Sequence, residues 1–246
     1  TGRVRRTFDT GVAPYDVVLA GSRAYVSNWG GRRPKPGDLT GPAGRGTVVR
    51  IDPETHAASE GSVSVIPIGQ GAGDATEIVT GRNASALALS PDGRHLVCAN
   101  AGADNLSVIE TSTGRLVETI WCKPSPADPL GASPNALAFD PSGRRLYAAN
   151  GAQNAIAVLR FDPADRESRL VGLIPVGWYP GALVFDAARG TLAVGNLKGL
   201  PEKPARAGDT SGGTGFNSRQ FSGSLTLTRV PADSELPALS ETVGRN

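Results

Sequence analysis

The chain contains only two histidines and two cysteines, residue types that often bind metal ions or act in catalysis. Its two histidines are His56, in a stretch rich in glycine and proline, and His95, directly after the turn P-D-G-R. Nothing in the pattern brings them together, whereas a metal or catalytic site needs several converging side chains. The H-E-x-x-H, C-x-x-C, G-x-S-x-G and P-loop motifs do not occur in the sequence. The sequence therefore predicts no catalytic residue, metal site or cofactor within this chain.

Aromatic and cationic residues beside recurring asparagines are better candidates for binding. Such side chains either anchor a partner or fill the gap between neighbouring units of structure, and the sequence leaves both interpretations open. The asparagines also have an ordinary alternative role, because their side chains bond nearby backbone in turns. The predicted binding residues are Asn28, Trp29, Asn100, Asn150, Trp178, Tyr179, Asn196 and Lys198.

The elements that position these residues can be read from residues 81–120. This stretch contains four short apolar runs, SALALS, HLVCAN, LSVIET and LVETI, separated by turn signals such as Pro91-Asp92-Gly93. Each run has strand length, and glycine in the turns tolerates a positive φ. Four such strands joined by tight turns predict one antiparallel sheet the size of a propeller blade.

The same pattern occurs four times along the chain. A turn starting at Gly11, Gly81, Gly131 or Gly177 leads into each copy, and the last three of these glycines are 50 and 46 residues apart. Repeats of this length are typical of propeller blades. The fold class is therefore predicted as all-β, a partial β-propeller over residues 1–246. Its four four-stranded blades span approximately 11–80, 81–130, 131–176 and 177–246, with insertions at 30–60 and 197–221.

Composition excludes several classes of partner. The chain has 246 residues, 39% of them hydrophobic, with 32 glycines, 19 prolines and a net charge of +2. Interspersed charges of both signs argue against a nucleic-acid partner or a charged membrane surface. No apolar stretch reaches the roughly 20 residues of a membrane helix. We predict no nucleic-acid partner and no membrane span.

The long connections are predicted to lie on one face of the propeller. Strands in a blade alternate in direction, so the connections from strand two to strand three and from strand four to the next blade emerge together. Residues 30–60, 121–130 and 197–221 are all of these two kinds. We call this the decorated face, and the opposite side, with its short turns, the plain face. Elaboration on a single face commonly marks the binding face of a repeat protein.

Four segments carry a resemblance to a known family. RAYVSN, HLVCAN, LYAAN and LAVGN, with their recurring G-x-x-P turns, resemble the repeats of YVTN-type bacterial β-propellers. The resemblance implies a seven-bladed ring and a periplasmic or extracellular location. It also implies that the remaining blades come from the same precursor or from another chain. An open arc would leave two blade faces of roughly 500 Å² bare, which forfeits on the order of 12 kcal/mol each.

The two ends of the chain carry further expectations. The sequence starts at Thr1 and contains no methionine, so we expect a piece of a longer polypeptide. The segment VRRTFDT is predicted to be an outer strand of a preceding blade, and ELPALSETVGRN a final outer strand.

A more specific resemblance leaves two functions open. The G-W-Y-P turn, the V-G-N-L-K-G run and the closing E-T-V resemble larger bacterial proteins in which a YVTN-type propeller precedes an alkaline-phosphatase-like phosphoesterase domain. This resemblance implies phosphate-ester hydrolysis by the complete protein, in a catalytic domain outside this chain. The first hypothesis is a non-catalytic binding or docking module, and the alternative is the propeller portion of such a phosphoesterase.

The two cysteines also leave two interpretations. Cys98 lies in a strand where the other repeats carry a small apolar residue, and Cys122 follows the last strand of the same repeat. A disulfide would suit an oxidising compartment. The apolar position of Cys98 favours two buried thiols.

Overall fold

The chain forms four propeller blades, as a computed structural model shows for residues 2–44, 46–69, 73–129, 131–199 and 222–245. Blade one begins with β1 (Pro14–Ala20) and β2 (Arg23–Asn28), is interrupted by a hairpin of β3 (Thr40–Pro42) and β4 (Val48–Arg50), and ends with β5 (Gly61–Pro67) and β6 (Thr76–Thr80). Blade two contains β7 (Ala84–Leu89), β8 (His95–Asn100), β9 (Asn105–Glu110) and β10 (Arg115–Trp121).

Blade three is also four-stranded, whereas blade four has three strands within the described residues. Blade three contains β11 (Pro134–Phe139), β12 (Arg145–Asn150), β13 (Ala155–Arg160) and β14 (Arg169–Pro175). Blade four contains β15 (Trp178–Asp186), β16 (Thr191–Lys198) and β17 (Ser224–Arg229). All pairings are antiparallel between consecutive strands of a blade, which confirms the predicted fold class. The insertion predicted at 197–221 lies mostly outside the described residues.

Short turns on the plain face join the first two strands of each blade. In blades two and three the glycine of these turns, Gly93 or Gly143, has a φ of 72° or 69°. Residues other than glycine rarely adopt this backbone conformation. The turns also use local hydrogen bonds, such as that from the Ser90 hydroxyl to Asp92 at 2.6 Å.

The first strands of the blades are the innermost. Strand β1 contacts β7, β7 contacts β11, and β11 contacts β15. Three apolar clusters then fill the spaces between successive blades. Fully buried members include Tyr25 and Ile109 between blades one and two, Leu106 and Leu159 between blades two and three, and Leu192 between blades three and four.

The outer faces of the two end blades are bare. On blade one, Val17 and Leu19 are 58% and 66% exposed. On blade four, Leu225 and Leu227 are both 67% exposed, and Val184 beside them is also exposed. The alternation of strand side chains places each group on a single face. These surfaces resemble the faces that pack together inside the arc, except that no described residue covers them.

Two expectations about the ends of the chain are wrong. Residues 236–245 form a helix, α1 (Leu236–Arg245), where the sequence predicted a final outer strand. The helix packs on β14: the Ser240 hydroxyl accepts a hydrogen bond of 2.9 Å from the Leu173 amide, and Leu236 lies against Gly172. Residues 4–10, predicted to be an outer strand, belong to no helix or strand. No helix of the described residues is long and apolar enough to cross a bilayer.

Candidate functional site

The turns that lead into the inner strands share an unusual backbone conformation. The third residue of the opening turn is left-handed in every blade, with φ values of 54° at Ala13, 56° at Asn83, 51° at Ser133 and 57° at Tyr179. The first three directly precede the first strand of their blade, whereas Tyr179 lies within β15. A residue other than glycine seldom adopts this conformation, and holding it costs on the order of 1 kcal/mol or more. The surroundings of the four turns must therefore fix them, and in blades one, two and four the turn glycine packs on the asparagine near the end of the second strand.

Asn28 shows how this asparagine is held. Its side chain is fully buried, and its amide nitrogen donates to the hydroxyls of Ser62 and Ser64 at 3.1 and 2.9 Å. Ser64 also accepts a hydrogen bond of 3.1 Å from the backbone nitrogen of Gly11, in the turn that opens the blade. The asparagine thus joins the second strand to the third strand and to the turn.

Blades two and four repeat this arrangement. The amide of Asn100 donates to Asn105 at 2.8 Å and to Ser107 at 2.9 Å. The amide of Asn196 donates to the hydroxyls of Ser224 and Thr226 at 3.2 and 2.9 Å. In all three blades the acceptors stand at the start of the third strand and two residues further on. In the sequence these acceptors appear as the polar pairs S-x-S, N-x-S and S-x-T. This pattern is the signal from which the contact could have been predicted.

Asn150 in blade three is bonded differently. The equivalent positions of its third strand are Ala155 and Ala157, which offer no acceptor. Its amide instead donates to the Cys122 carbonyl at 2.9 Å and to the Gln153 side chain at 2.8 Å. The side chain is nevertheless fully buried, as it is in the other blades.

In blades one, two and four the turn glycine and the asparagine form one packing unit. A Cβ atom added to Gly11 would lie 2.6 Å from Cγ of Asn28, and one added to Gly81 would lie 2.7 Å from Cγ of Asn100. Side-chain atoms do not approach this closely, so only glycine allows the turn to rest on the amide. The four predicted asparagines are therefore held inside the blades. Their role in binding stays a prediction.

Two further polar residues join neighbouring blades. Asp104, which is buried, accepts hydrogen bonds of 2.7 and 2.9 Å from the backbone nitrogens of Gly131 and Ser133. Asn154 accepts one of 2.9 Å from the backbone nitrogen of Tyr179. Each acceptor thereby fixes the turn that opens the next blade. Neither residue was predicted from the sequence, although each stands four residues after the asparagine that ends the second strand of its blade.

The predicted aromatic residues lie on the surface beside these turns. Trp29 is 38% exposed and stacks on Tyr15, with ring centroids 5.8 Å apart. Trp178 is 41% exposed, and Nζ of Lys198 lies 4.8 Å from the centroid of its ring. Trp178 and Lys198 are also paired across strands β15 and β16.

Tyr179 of blade four lies near Tyr15 of blade one. Tyr179 is half-buried, and its ring packs against Gly151, where an added Cβ would lie 3.0 Å away. Burial raises the pKa of the Tyr15 phenol, and the nearby Tyr179 and Asp16 raise it further. We call Tyr15, Trp29, Trp178, Tyr179 and Lys198 the aromatic mouth. Tyr15 was missed in the sequence, although it directly follows the proline of the first G-x-x-P turn.

The described residues hold no cluster of titratable groups that suits metal binding. No group of three or more His, Cys, Asp or Glu side chains comes close enough together to hold a metal ion in this part of the chain. His95 lies edge-on to Phe161, with centroids 5.9 Å apart, and His56 is exposed in the first insertion. The structure does not bring the two histidines into one site.

The cysteines are free and buried, which confirms the interpretation that the sequence favoured. Burial raises the pKa of the Cys98 thiol to about 12 and also raises that of Cys122. Nucleophilic attack requires the thiolate, so neither side chain is poised for that chemistry at neutral pH.

A family model supports the propeller. A family model described as "Lactonase, 7-bladed beta-propeller" matches residues 109–199. This segment runs from the third strand of blade two into blade four. No curated protein matches the chain.

Solved structures share little sequence with the chain. They include hydrazine synthase of Kuenenia stuttgartiensis (18% identity, TM-score 0.44), Sqt1 of Chaetomium thermophilum (17%, 0.47) and a putative 6-phosphogluconolactonase of Bacteroides uniformis (16%, 0.48). All three matches cover 72% of this chain. They cover 66% of the hydrazine synthase chain, 49% of the Sqt1 chain and 62% of the putative lactonase chain. The chain thus spans about half to two thirds of their lengths.

Proposed function

We propose that this chain is a non-catalytic binding propeller whose partner docks on the decorated face at the aromatic mouth. The observation that carries the proposal is that two exposed tryptophans on this face are each braced by a neighbour. Trp29 is stacked on Tyr15, and Trp178 lies beneath the ammonium group of Lys198. Exposed aromatic side chains held in fixed positions are where binding energy concentrates in protein interfaces.

The turns beneath the mouth support the same proposal. Left-handed residues recur at all four turns, and Tyr179 is itself one of them. Its amide is fixed by Asn154 of the preceding blade at 2.9 Å. A side chain on a backbone fixed in this way loses little conformational entropy when a partner binds. The partner that suits this surface presents a flat apolar or π face, with a negative group toward Lys198.

The source and setting of the partner follow from the sequence resemblance. We propose that the protein is periplasmic or extracellular and that its end blades pack against further blades. The partner on the decorated face is either the following domain of the same polypeptide or a separate ligand. The assignment of this chain's repeats to the YVTN type is also part of this proposal.

Two enzymatic alternatives have a specific observation behind them. The family-model match to residues 109–199 favours a lactonase-type hydrolase, and the resemblance of the G-W-Y-P and V-G-N-L-K-G segments favours a phosphoesterase. An assay of residues 1–246 and of the complete protein with glucono-δ-lactone and p-nitrophenyl phosphate separates them. Turnover of the lactone by residues 1–246 would contradict a non-catalytic role. Turnover of the phosphate ester by the complete protein alone would support the phosphoesterase alternative.

Cross-linking of the complete protein tests the docking face. Among the described residues, Lys35 and Lys123 lie in decorated-face connections and Lys198 ends the strand that leads into one, so lysine cross-links at these three residues report on that face. A carboxylate-reactive reagent provides the matched control, because Asp92, Asp140 and Asp186 stand in the plain-face turns. We expect partner cross-links from the lysines and none from these carboxylates. The opposite result would place the partner on the plain face and contradict the proposal.

A further inference from the structure

We propose that Asn150 and Gly151 form a site of spontaneous covalent modification, which the folded protein protects and the opening of blade three exposes. The side-chain amide of Asn150 is lost by deamidation, and aspartate or isoaspartate takes the place of the asparagine. The inference goes beyond the proposed function, because it concerns a chemical change inside blade three and not the partner on the decorated face.

The sequence makes Asn150 different from the repeated asparagines of the other three blades. Those asparagines are followed by tryptophan, alanine and leucine, whereas Asn150 is followed by Gly151, and this is the only Asn-Gly pair in the sequence. Because glycine has no Cβ, its backbone moves freely enough for its nitrogen to reach the preceding side chain. Deamidation through that nitrogen is therefore fastest where glycine follows asparagine.

The reaction needs water and no other reactant. The backbone nitrogen of Gly151 gives its proton to the solvent and attacks Cγ of Asn150, and the bond between Cγ and Nδ2 breaks. Nδ2 takes up a proton and leaves as ammonia, so a five-membered succinimide remains. Water then adds to one of the two ring carbonyls and opens the ring. Opening at one carbonyl gives aspartate, and opening at the other gives isoaspartate, which adds a methylene group to the backbone.

The folded blade holds every group of this reaction in place. The N–H of Gly151 donates to the Ser133 carbonyl at 3.1 Å. The amide of Asn150 donates to the Cys122 carbonyl at 2.9 Å and to the Gln153 side chain at 2.8 Å. Asn150 is also fully buried, so solvent does not reach the reacting atoms. The ring cannot close while these contacts persist, and the reaction therefore requires local opening of the blade.

The packing between blades three and four requires the glycine that makes this site reactive. A Cβ atom added to Gly151 would lie 2.5 Å from Nδ2 of Asn135 and 3.0 Å from Cε1 of Tyr179. Alanine at this position would therefore displace Tyr179, a residue of the aromatic mouth. The reactive pair is thus a consequence of how the opening turn of blade four rests on blade three.

The product does not fit the place of the asparagine. A carboxylate at residue 150 sets one oxygen against the Cys122 carbonyl, which is itself an acceptor, and no described residue donates to the other oxygen. A buried carboxylate without hydrogen-bond donors is strongly disfavoured. Deamidation during an opening event therefore prevents blade three from closing correctly, and Tyr179 loses its support at Gly151.

Tryptic peptide mapping by mass spectrometry measures the reaction in the complete protein. The peptide of residues 146–160 contains Asn150 and also Asn154, which precedes alanine and serves as the internal control. In concentrated urea, Asn150 should deamidate at least about tenfold faster than Asn154. In native buffer the rate at Asn150 should fall at least about tenfold. Equal rates at the two asparagines in urea would overturn the reactivity, and an unchanged rate at Asn150 in native buffer would overturn the protection.

Two variants separate the effect of sequence from the effect of the fold. Gly151→Ala, compared in urea where folding plays no part, should deamidate at residue 150 as slowly as at Asn154. Leu159→Ala removes a fully buried side chain of blade three and should speed native deamidation at least about tenfold. The control is Leu116→Ala, a change of an exposed leucine on the outer strand of blade two, which should match the parent. An unchanged native rate in Leu159→Ala would overturn the dependence on opening.

The isolated product tests the consequence for the blade. Anion exchange separates the deamidated protein from the parent, because the product carries one additional negative charge. We expect the product to have a lower melting temperature and weaker hydrogen-exchange protection in β15, which contains Tyr179. A deamidated protein with the melting temperature and protection of the parent would overturn the proposed effect on blade closure.

Discussion

Blades three and four follow the same repeat but differ in what covers them. Blade three packs against a neighbour on both faces, and helix α1 covers its outer strand, where Ser240 accepts the hydrogen bond of the Leu173 amide. Blade four has one packed face, and no described residue covers its outer edge or its second face. In a repeat protein, therefore, the neighbours of a blade determine its stability as much as its own sequence does.

The third strands of the two blades show this difference in residue types. Strand β13 reads AIAVLR and is buried on both sides, with Ala157 facing blade two and Ile156 facing blade four. Strand β17 reads SLTLTR, and it turns Thr226 toward blade three and its two leucines outward. The two leucines of β17 thus face away from the packed arc, as expected of a strand that has another neighbour.

The largest effect is expected from truncating one buried and one exposed leucine. Leu159→Ala in blade three should lower the free energy of unfolding by about 3 kcal/mol, because the side chain is fully buried between two blades. Leu227→Ala in blade four should change it by no more than about 0.5 kcal/mol at a concentration where the chain is monomeric. Urea unfolding measures both. Equal losses would show that the face of blade four is covered within a single chain.

A smaller effect is expected from two glycines. A Cβ on Gly172 of blade three would lie 2.7 Å from Cβ of Leu236, whereas one on Gly195 of blade four would meet only Ala182 at 3.3 Å. Gly172→Ala should therefore displace the helix and cost about 1 to 3 kcal/mol, while Gly195→Ala should be nearly neutral. Hydrogen exchange of residues 236–245 provides the second readout. Unchanged protection of the helix in Gly172→Ala would contradict its docking on β14.

The sequence predicted the blades well and their outer edges poorly, for a physical reason. Strand alternation, turn glycines and the repeated asparagines are local signals. The sheets of blades one to three have the four strands expected from them, and blade four has three within the described residues. The helix at residues 236–245 packs against Gly172, a residue far away in sequence, so no local pattern predicted it. The hydrogen bonds of Asp104 and Asn154 to the next blade were missed for the same reason, because they join residues whose proximity arises only in the packed arc.

The asparagines of the two blades offer a finer comparison. Asn196 bonds to Thr226 on its third strand at 2.9 Å, whereas the equivalent residue for Asn150 is Ala157. A double-mutant cycle of Asn196→Ala and Thr226→Val should give a coupling energy of about 1 kcal/mol. The matched cycle of Asn150→Ala and Ala157→Val should give a value near zero. A coupling near zero in both cycles would mean that the hydroxyl acceptors do not hold the asparagine.

Alkaline pH probes the interface between the two blades. Tyr147 of blade three is buried and stacks on Phe185 of blade four, with centroids 5.7 Å apart. Burial, chiefly, raises the pKa of Tyr147 from its usual 10.0 to about 12. A folded-state pKa above the unfolded value gives stability that is complete below pH 10 and is lost as pH rises toward 12. The loss of unfolding free energy between pH 9 and pH 11.5 should be smaller in Tyr147→Phe, and an equal loss would contradict the assignment.

The smallest effect on stability is expected at the aromatic mouth of blade four. Trp178 and Lys198 lie at the end of the first hairpin of that blade, and the tryptophan ring is 41% exposed. Removing both side chains in Trp178→Ala/Lys198→Ala should leave the melting temperature within about 2 °C of the parent, because little packed apolar area is lost. In the complete protein the same change should abolish the lysine-directed cross-links to the partner from Lys35 and Lys123, since truncating aromatic anchors typically costs about 2 kcal/mol of binding free energy. The control is Leu116→Ala on blade two, which should change neither quantity. A large fall in melting temperature with intact cross-links would make these side chains a packing contact of blade four and would move the docking site elsewhere on the decorated face.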